Sequence, residues 1–201
     1  MNMTEVPGGP PATDPHALGA RRSASLMLLR DGPEGLEVLM LRRAERAADT
    51  RSGVWVFPGG VLDAADPGLA MHCAGPGDAA WSARLGLAHG GLDYAAAAIR
   101  ECFEEVGLLL AHGDPAALQA LRARREACMS APAFAAAVAG SGLRLADDAL
   151  ACHSHWLTPP GLAQRFDTWF FVARAPEGQQ AQADGAEALE LAWLRPAQAL
   201  A

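Results

Sequence analysis

Apolar runs of strand length alternate with turn-forming clusters in the first part of the chain. Ser23-Ala-Ser-Leu-Met-Leu-Leu-Arg30 stops at Asp31-Gly-Pro-Glu-Gly35, and Leu36-Glu-Val-Leu-Met-Leu-Arg42 follows. Two such runs across a Gly/Pro turn predict a β-hairpin. Arg43 to Gly53 is charged and reads as a loop. Val54-Trp-Val-Phe57 reads as a short strand halted by Pro58-Gly59-Gly60. There proline cannot donate to a ladder, and the glycines let the main chain approach a ligand closely. Residues 64–92 are irregular, with several Gly and Pro and weak periodicity. Tyr94 to Val106 predicts a helix, with Asp93 as N-cap and Gly107 as a left-handed stop. Residues 115–139 predict one or two alanine-rich helices broken near Ser130-Ala-Pro132. Thr168 to Arg174 and Ala188 to Leu194 predict strands, and Pro196 opens a helix that the chain barely begins. Strands and helices mix without βαβ regularity, so the expected fold is an α/β/α sandwich on a mixed sheet. It occupies residues 21–201 behind a Pro/Gly-rich leader, 1–20, read as disordered.

Composition narrows the function. The chain has 201 residues, 51% of them hydrophobic, and a formal net charge of −7. An acidic chain is a poor general binder of nucleic acid, which asks for a basic surface. No apolar stretch reaches the ~18 residues of a membrane span, and the leader lacks the apolar core of a signal peptide. Cys73, Cys102, Cys128 and Cys152 lie far apart and form no CxxC pair, which fits reduced thiols in the cytoplasm.

The chemistry concentrates in Arg100-Glu-Cys-Phe-Glu-Glu-Val-Gly-Leu108. At ~100° per residue, Glu105 falls about 40° to one side of Glu101 and Glu104 about 60° to the other. Ile99, Cys102, Phe103 and Val106 share the opposite, apolar face. Three carboxylates converging within a turn repel one another. Such a set suits a hard divalent cation; a solvated acidic face is the plainer alternative.

Phe57-Pro-Gly-Gly60 followed by Arg100-Glu101-x-x-Glu104-Glu105-x-Gly107-Leu108 resembles the Nudix box, whose pattern is G-x5-E-x7-R-E-U-x-E-E-x-G-U with U a bulky apolar residue. One departure is clear. The pattern places its glycine fourteen positions before its arginine, whereas Gly60 and Arg100 are 40 apart, so about 26 residues interrupt the box. Counting back from Arg100 puts the first family glutamate at Leu92, so that carboxylate is absent or displaced. The interruption reads as an insertion over about 64–92, the sandwich carrying helical insertions, and deleting part of 66–90 is expected to leave the core folded because insertions cost little closure entropy. Its position resembles the Nudix branch that contains the mammalian peroxisomal coenzyme A diphosphatase. Trp55-Val-Phe-Pro-Gly-Gly-Val-Leu-Asp63, Trp156-Leu-Thr-Pro159 and Arg165-Phe-Asp-Thr-x-Phe-Phe171 are also similar to that branch.

The resemblance implies a Mg²⁺- or Mn²⁺-dependent diphosphatase. Glu101, Glu104 and Glu105 would be ligands together with the Gly59/Gly60 main chain. Arg100 would orient the glutamates, above all Glu104. Coenzyme A or acyl-coenzyme A is the leading substrate. ADP-ribose, NADH or another nucleotide diphosphate is the alternative within the class, and a non-catalytic nucleotide-binding module is the alternative outside it. An extra carboxylate could come from Glu187 or Glu190. Arg42, Arg43, Arg46, Arg51 and Arg165 are candidates for phosphate, which guanidinium groups chelate well. Asp167 could pair with Arg165, His153 and His155 could share a strand face, and Trp55, Trp169 and Trp193 default to core packing. The expected partner is a small nucleotide-diphosphate substrate, not nucleic acid or membrane, and a homodimer is compatible with the reading. The final helix is short enough to suggest truncation.

Overall fold

The computed structural model describes residues 19–44, 53–186 and 188–199. Most of the leader, Arg46 and Arg51 of the charged loop, and Glu187 lie outside the described residues. The expected hairpin forms from β1 (Arg21–Gly32) and β2 (Gly35–Arg43). These strands pair over Leu29–Gly32 and Gly35–Val38 and then diverge. The chain returns between them. β3 (Trp55–Val56) pairs with Leu41 and Arg42 of β2, and β4 (Gly59–Val61) pairs with Ser23–Ser25 of β1. The sheet thus forks, and Phe57-Pro58 crosses from one prong to the other. Pro58 lacks an N–H to place in a ladder, but its carbonyl accepts from Leu26 N at 2.8 Å and Ser25 Oγ at 3.1 Å.

The next elements are α1 (Asp78–Leu85), α2 (Gly91–Val106), β5 (Ala111–His112), α3 (Pro115–Ala123), α4 (Ala131–Ser141) and β6 (Arg144–Leu145). β7 (Ala151–Leu157), β8 (Phe166–Arg174), β9 (Ala188–Leu194) and α5 (Pro196–Ala199) complete the order. β8 runs parallel to β1 along Arg21–Leu29. β7 is antiparallel to β8, and β9 is antiparallel to β2. The result is a seven-stranded mixed sheet, with β5 and β6 as a separate pair. The expected α/β class and mixed sheet are therefore what the chain forms. No helix among the described residues is long and apolar enough to cross a membrane.

The central helix is α2. Of its 16 residues, only Asp93 and Glu101 fall outside the buried class. Ala95 to Ala98 are fully buried; their small side chains let the helix lie close to its neighbours. It starts at Gly91, three residues before the expected Tyr94, with Gly90 rather than Asp93 as N-cap. Asp93 instead faces Arg22 at 3.7 Å. The C-terminal stop is as expected: Gly107 takes φ 69° and its N–H returns to the Phe103 carbonyl, a conformation that penalises any Cβ.

The interruption of the box is helical. It holds a 3₁₀ turn at Asp66–His72 and then α1. Leu69 and Trp81 are fully buried and belong to the main apolar cluster, as does Leu85. Trp81 meets Phe171 edge to face at 5.7 Å. Its indole N–H donates to the buried Asp147 at 2.8 Å, and Asp147 also accepts from Gly75 N at 2.7 Å. These buried contacts tie the segment into the core, which weighs against shortening it freely. Its buried residues come singly among alanines and glycines, so no periodic face advertises them. The strand at 151–157 was also not read from the pattern, because its side chains are mostly exposed on both faces.

Replacing Trp81 removes a fully buried ring and a hydrogen bond to a buried carboxylate. Trp81→Ala is expected to lower stability by about 3–5 kcal/mol, read as a shift of the urea midpoint. A loss below ~1 kcal/mol would mean that the segment is peripheral after all.

Candidate active site

Arg100 is the hub of the site. Its side chain is 4% exposed, with every N–H direction used. Nε and Nη2 form a fork on Asp66 at 2.7 and 3.0 Å, and Nη2 also donates to the Val61 carbonyl at 3.2 Å. Nη1 donates to Glu101 at 2.8 Å and to Glu104, one helical turn on, at 3.0 Å. The Arg100–Glu104 pairing is the one anticipated from the sequence. Asp66 was missed. Counting forward from Gly60 rather than back from Arg100 finds it: the pattern's sixth position after the glycine is residue 66. The added length therefore lies between Asp66 and Arg100, and the first acidic position is filled by aspartate. Burial pulls the Arg100 pKa down, but Asp66, Glu101 and Glu104 outweigh that and hold it above its usual value.

The forked sheet brings the glycines onto the acidic face of α2. Gly59 N donates to Glu105 Oε2 at 2.8 Å. A Cβ at Gly59 would lie 2.4 Å from the Ala24 carbonyl oxygen, and one at Gly60 would lie 2.4 Å from the Glu101 carboxylate. Gly59 meets backbone and excludes a side chain; a side chain at Gly60 would displace the Glu101 carboxylate. The plainer reading of a solvated acidic face does not hold, since Glu104 and Glu105 are 9% and 6% exposed.

The carboxylates of Asp66, Glu101 and Glu104 gather around the Arg100 guanidinium, with Glu105 beside them. Burial pushes the Glu104 carboxyl up to about 7 despite Arg100, and Glu101 adds to the rise. Glu104 Oε1 is buried without a hydrogen-bond partner. No three His, Cys, Asp or Glu side chains stand ready-grouped around a metal position among the described residues. The donor set nevertheless fits a hard divalent cation: carboxylate oxygens close together on one helix face, and one orphaned oxygen, Glu104 Oε1.

A cavity of about 800 Å³ opens beside this face. Its lining includes Gly59, Gly60, Glu101, Arg21 and Arg43, together with five aromatic residues: Trp55, Phe57, Trp156, Phe166 and Phe170. The chain has twelve aromatic side chains in all, so this is a marked concentration. Trp55 is 39% exposed rather than a core residue, and Trp156 is 67% exposed against Phe170. Among the candidate arginines, Arg43 lines the cavity; Arg21 does too, though its place at the edge of a strand gave no sign of it. Arg42 donates to the Gly53 carbonyl and pairs with Glu190 at 3.2 Å. Buried Arg165 donates to the carbonyls of Thr158 and Pro159. Neither Arg42, Arg165 nor Glu190 lines the cavity. Asp167 is held by His155, which stacks on Trp169, and by Tyr94 Oη at 3.3 Å. Cys73, Cys102 and Cys128 are buried free thiols, and Cys152 is an exposed one.

Comparison with known proteins agrees with this geometry. A family model described as the NUDIX domain matches residues 19–127, more than half of the chain. The chain belongs to that family, and its enzyme class is the Nudix pyrophosphohydrolases. Among solved structures it is similar to a NUDIX hydrolase from Alicyclobacillus acidocaldarius, with 26% identity, a TM-score of 0.69, and coverage of 90% of this chain and 81% of the other. A MutT/nudix family protein from Enterococcus faecalis matches at 14% identity and TM-score 0.48, over 94% of this chain and 46% of the other. The NUDIX domain of Shewanella oneidensis NrtR, solved with ADP ribose, matches at 15% identity and TM-score 0.49, over 94% and 82%.

Because folding raises the Glu104 pKa, the metal-free folded state binds this proton more tightly than the unfolded state does. Stability contributed by that proton is present below about pH 4.5 and is lost as pH rises to about 7. The urea midpoint in EDTA should fall between about pH 5 and pH 7, and the fall should be smaller in Glu104→Gln.

Proposed function

We propose that this pyrophosphohydrolase is metal-dependent and hydrolyses nucleoside-diphosphate-linked substrates, with coenzyme A or acyl-coenzyme A as the leading member. The observation that carries this is one cavity lined both by Glu101 with the Gly59–Gly60 main chain and by a largely apolar, aromatic wall. A substrate with that character needs a charged middle and a long apolar or planar end. Coenzyme A has both: its diphosphate joins an adenosine 3′-phosphate to a pantetheine arm. Arg21 and Arg43 supply cations for the phosphates. Met40, Val56, Leu157 and Pro159 widen the apolar wall available to the arm.

Glu101, Glu104 and Glu105 would hold Mg²⁺ or Mn²⁺, with the Gly60 main chain close by. Such an ion, when bound, polarises phosphoryl oxygens and acidifies water. The chain's own groups then have separate tasks. Arg100 keeps Glu101 and Glu104 turned to one side and balances part of their charge. Asp66 fixes Arg100 from the opposite side. Gly59 N holds Glu105 Oε2 in place. Water attack on phosphorus of coenzyme A breaks one P–O bond of the anhydride. The products would be adenosine 3′,5′-bisphosphate and 4′-phosphopantetheine, or its acyl form.

The deciding experiment is product analysis by mass spectrometry on coenzyme A, NADH and ADP-ribose with Mg²⁺. Adenosine 3′,5′-bisphosphate from coenzyme A in clear excess over the products of the other two supports the reading; equal or better cleavage of ADP-ribose or NADH removes the coenzyme A assignment. Glu105→Gln is expected to lower kcat by at least about 100-fold, as for loss of charge at a metal site. Near-normal turnover would remove the site assignment.

A further inference from the structure

The acidic face lies on the wrong half of its helix. Glu101, Glu104 and Glu105 occupy the last two turns of α2, next to the negative end of the helix dipole, where carboxylates are unfavourable and cations favourable. The last turn has no basic residue of its own. Its terminal carbonyls also need donors from elsewhere.

Two arginines from the α3 region supply both. Arg125 Nε and Nη2 donate to the Glu104 carbonyl at 3.2 and 2.7 Å, while its Nη1 donates to the Gln182 carbonyl at 2.7 Å. Arg122 Nε donates to the Gly107 carbonyl at 3.1 Å, and its Nη2 donates to the Gln180 carbonyl at 3.1 Å. The segment that receives these second bonds is itself laid against the helix end. Gln182 N donates to the Val106 carbonyl at 2.9 Å, and the Gln179 amide makes two bonds of 2.9 Å to the Leu109 main chain. Each arginine therefore bridges the end of α2 to the strap 179–182.

We infer that Arg125, supported by Arg122, is a positioning residue for the metal-binding carboxylates: by clamping the Glu104 main chain it sets where the Glu104 and Glu105 side chains point. The clamp acts on the residue whose side-chain Oε1 is buried and unpartnered. It places a positive charge behind the helix end through main-chain bonds to the Glu104 carbonyl rather than through a bond to a carboxylate. This rests on the metal-dependent reading above.

The test uses the full-length chain and Mn²⁺ alone, with free Mn²⁺ followed by electron paramagnetic resonance and no substrate present. Arg125→Met should bind Mn²⁺ at least about 10-fold more weakly, the size of effect expected when a group that orients a ligand is lost. Arg125→Lys, with the charge but not the fork, should fall between it and the unaltered chain. The thermal midpoint in EDTA is measured alongside, and titrations are run well below the lower midpoint. A purely structural role lowers that midpoint but leaves Mn²⁺ affinity within twofold, and this result overturns the inference. Should Arg125→Met fail to fold, the same titration of Arg125→Lys decides. Affinity lost in Glu105→Gln but kept in the Arg125 variants removes the positioning role and leaves the metal reading standing. Absence of any Mn²⁺ binding by the unaltered chain removes both.

Discussion

A single buried guanidinium organises this molecule. Arg100 donates to Asp66, Val61, Glu101 and Glu104, which belong to three separate stretches of chain. An unpartnered charge at that depth costs several kcal/mol. The helix, the fourth strand and the 3₁₀ turn are therefore obliged to meet around it. The same bonds gather three carboxylates around one cation, so the contacts that stabilise the fold also set the geometry of the acidic face.

The second constraint is the forked sheet. A continuous β1–β2 pairing would leave no place for the Phe57–Val61 segment. The divergence of these strands beyond the hairpin turn admits it, and two glycines let it press against both β1 and the acidic face of α2. The cavity follows from the same split, since it is walled by residues of both prongs, by β8 and by the outer strand β7. Opening a sheet exposes apolar side chains, and here those side chains are aromatic. That suits a ligand with planar or apolar parts better than a purely ionic one.

Much of the catalytic half was legible in the sequence. The hairpin, the Gly107 stop and the Arg100–Glu104 pair follow from local rules of turns, caps and helical spacing. What escaped was decided by distant contacts. Asp66 was reachable by counting forward from Gly60, but its bond to Arg100, 34 residues away, was not. Trp81 and Leu69 are buried by packing that no short-range periodicity encodes. Trp55 looked like a core residue because it lies in an apolar run, yet the fork leaves it beside open space. Arg165 looked available for phosphate, but the loop at Thr158–Pro159 needs donors for its carbonyls and Arg165 supplies them.

The fork on Asp66 has a consequence for spacing. The residues on either side of the long interruption, Asp66 and Arg100, are bonded directly to each other, so the intervening segment begins and ends at the same point in space. It is a closed loop in the geometrical sense, stapled at its neck by an ion pair. Changes in its length, provided its own buried residues are kept, need not be transmitted to the carboxylates beyond the staple. Separation along the chain and separation in the site are thereby decoupled, and a motif defined by counting residues survives an interruption larger than the motif itself.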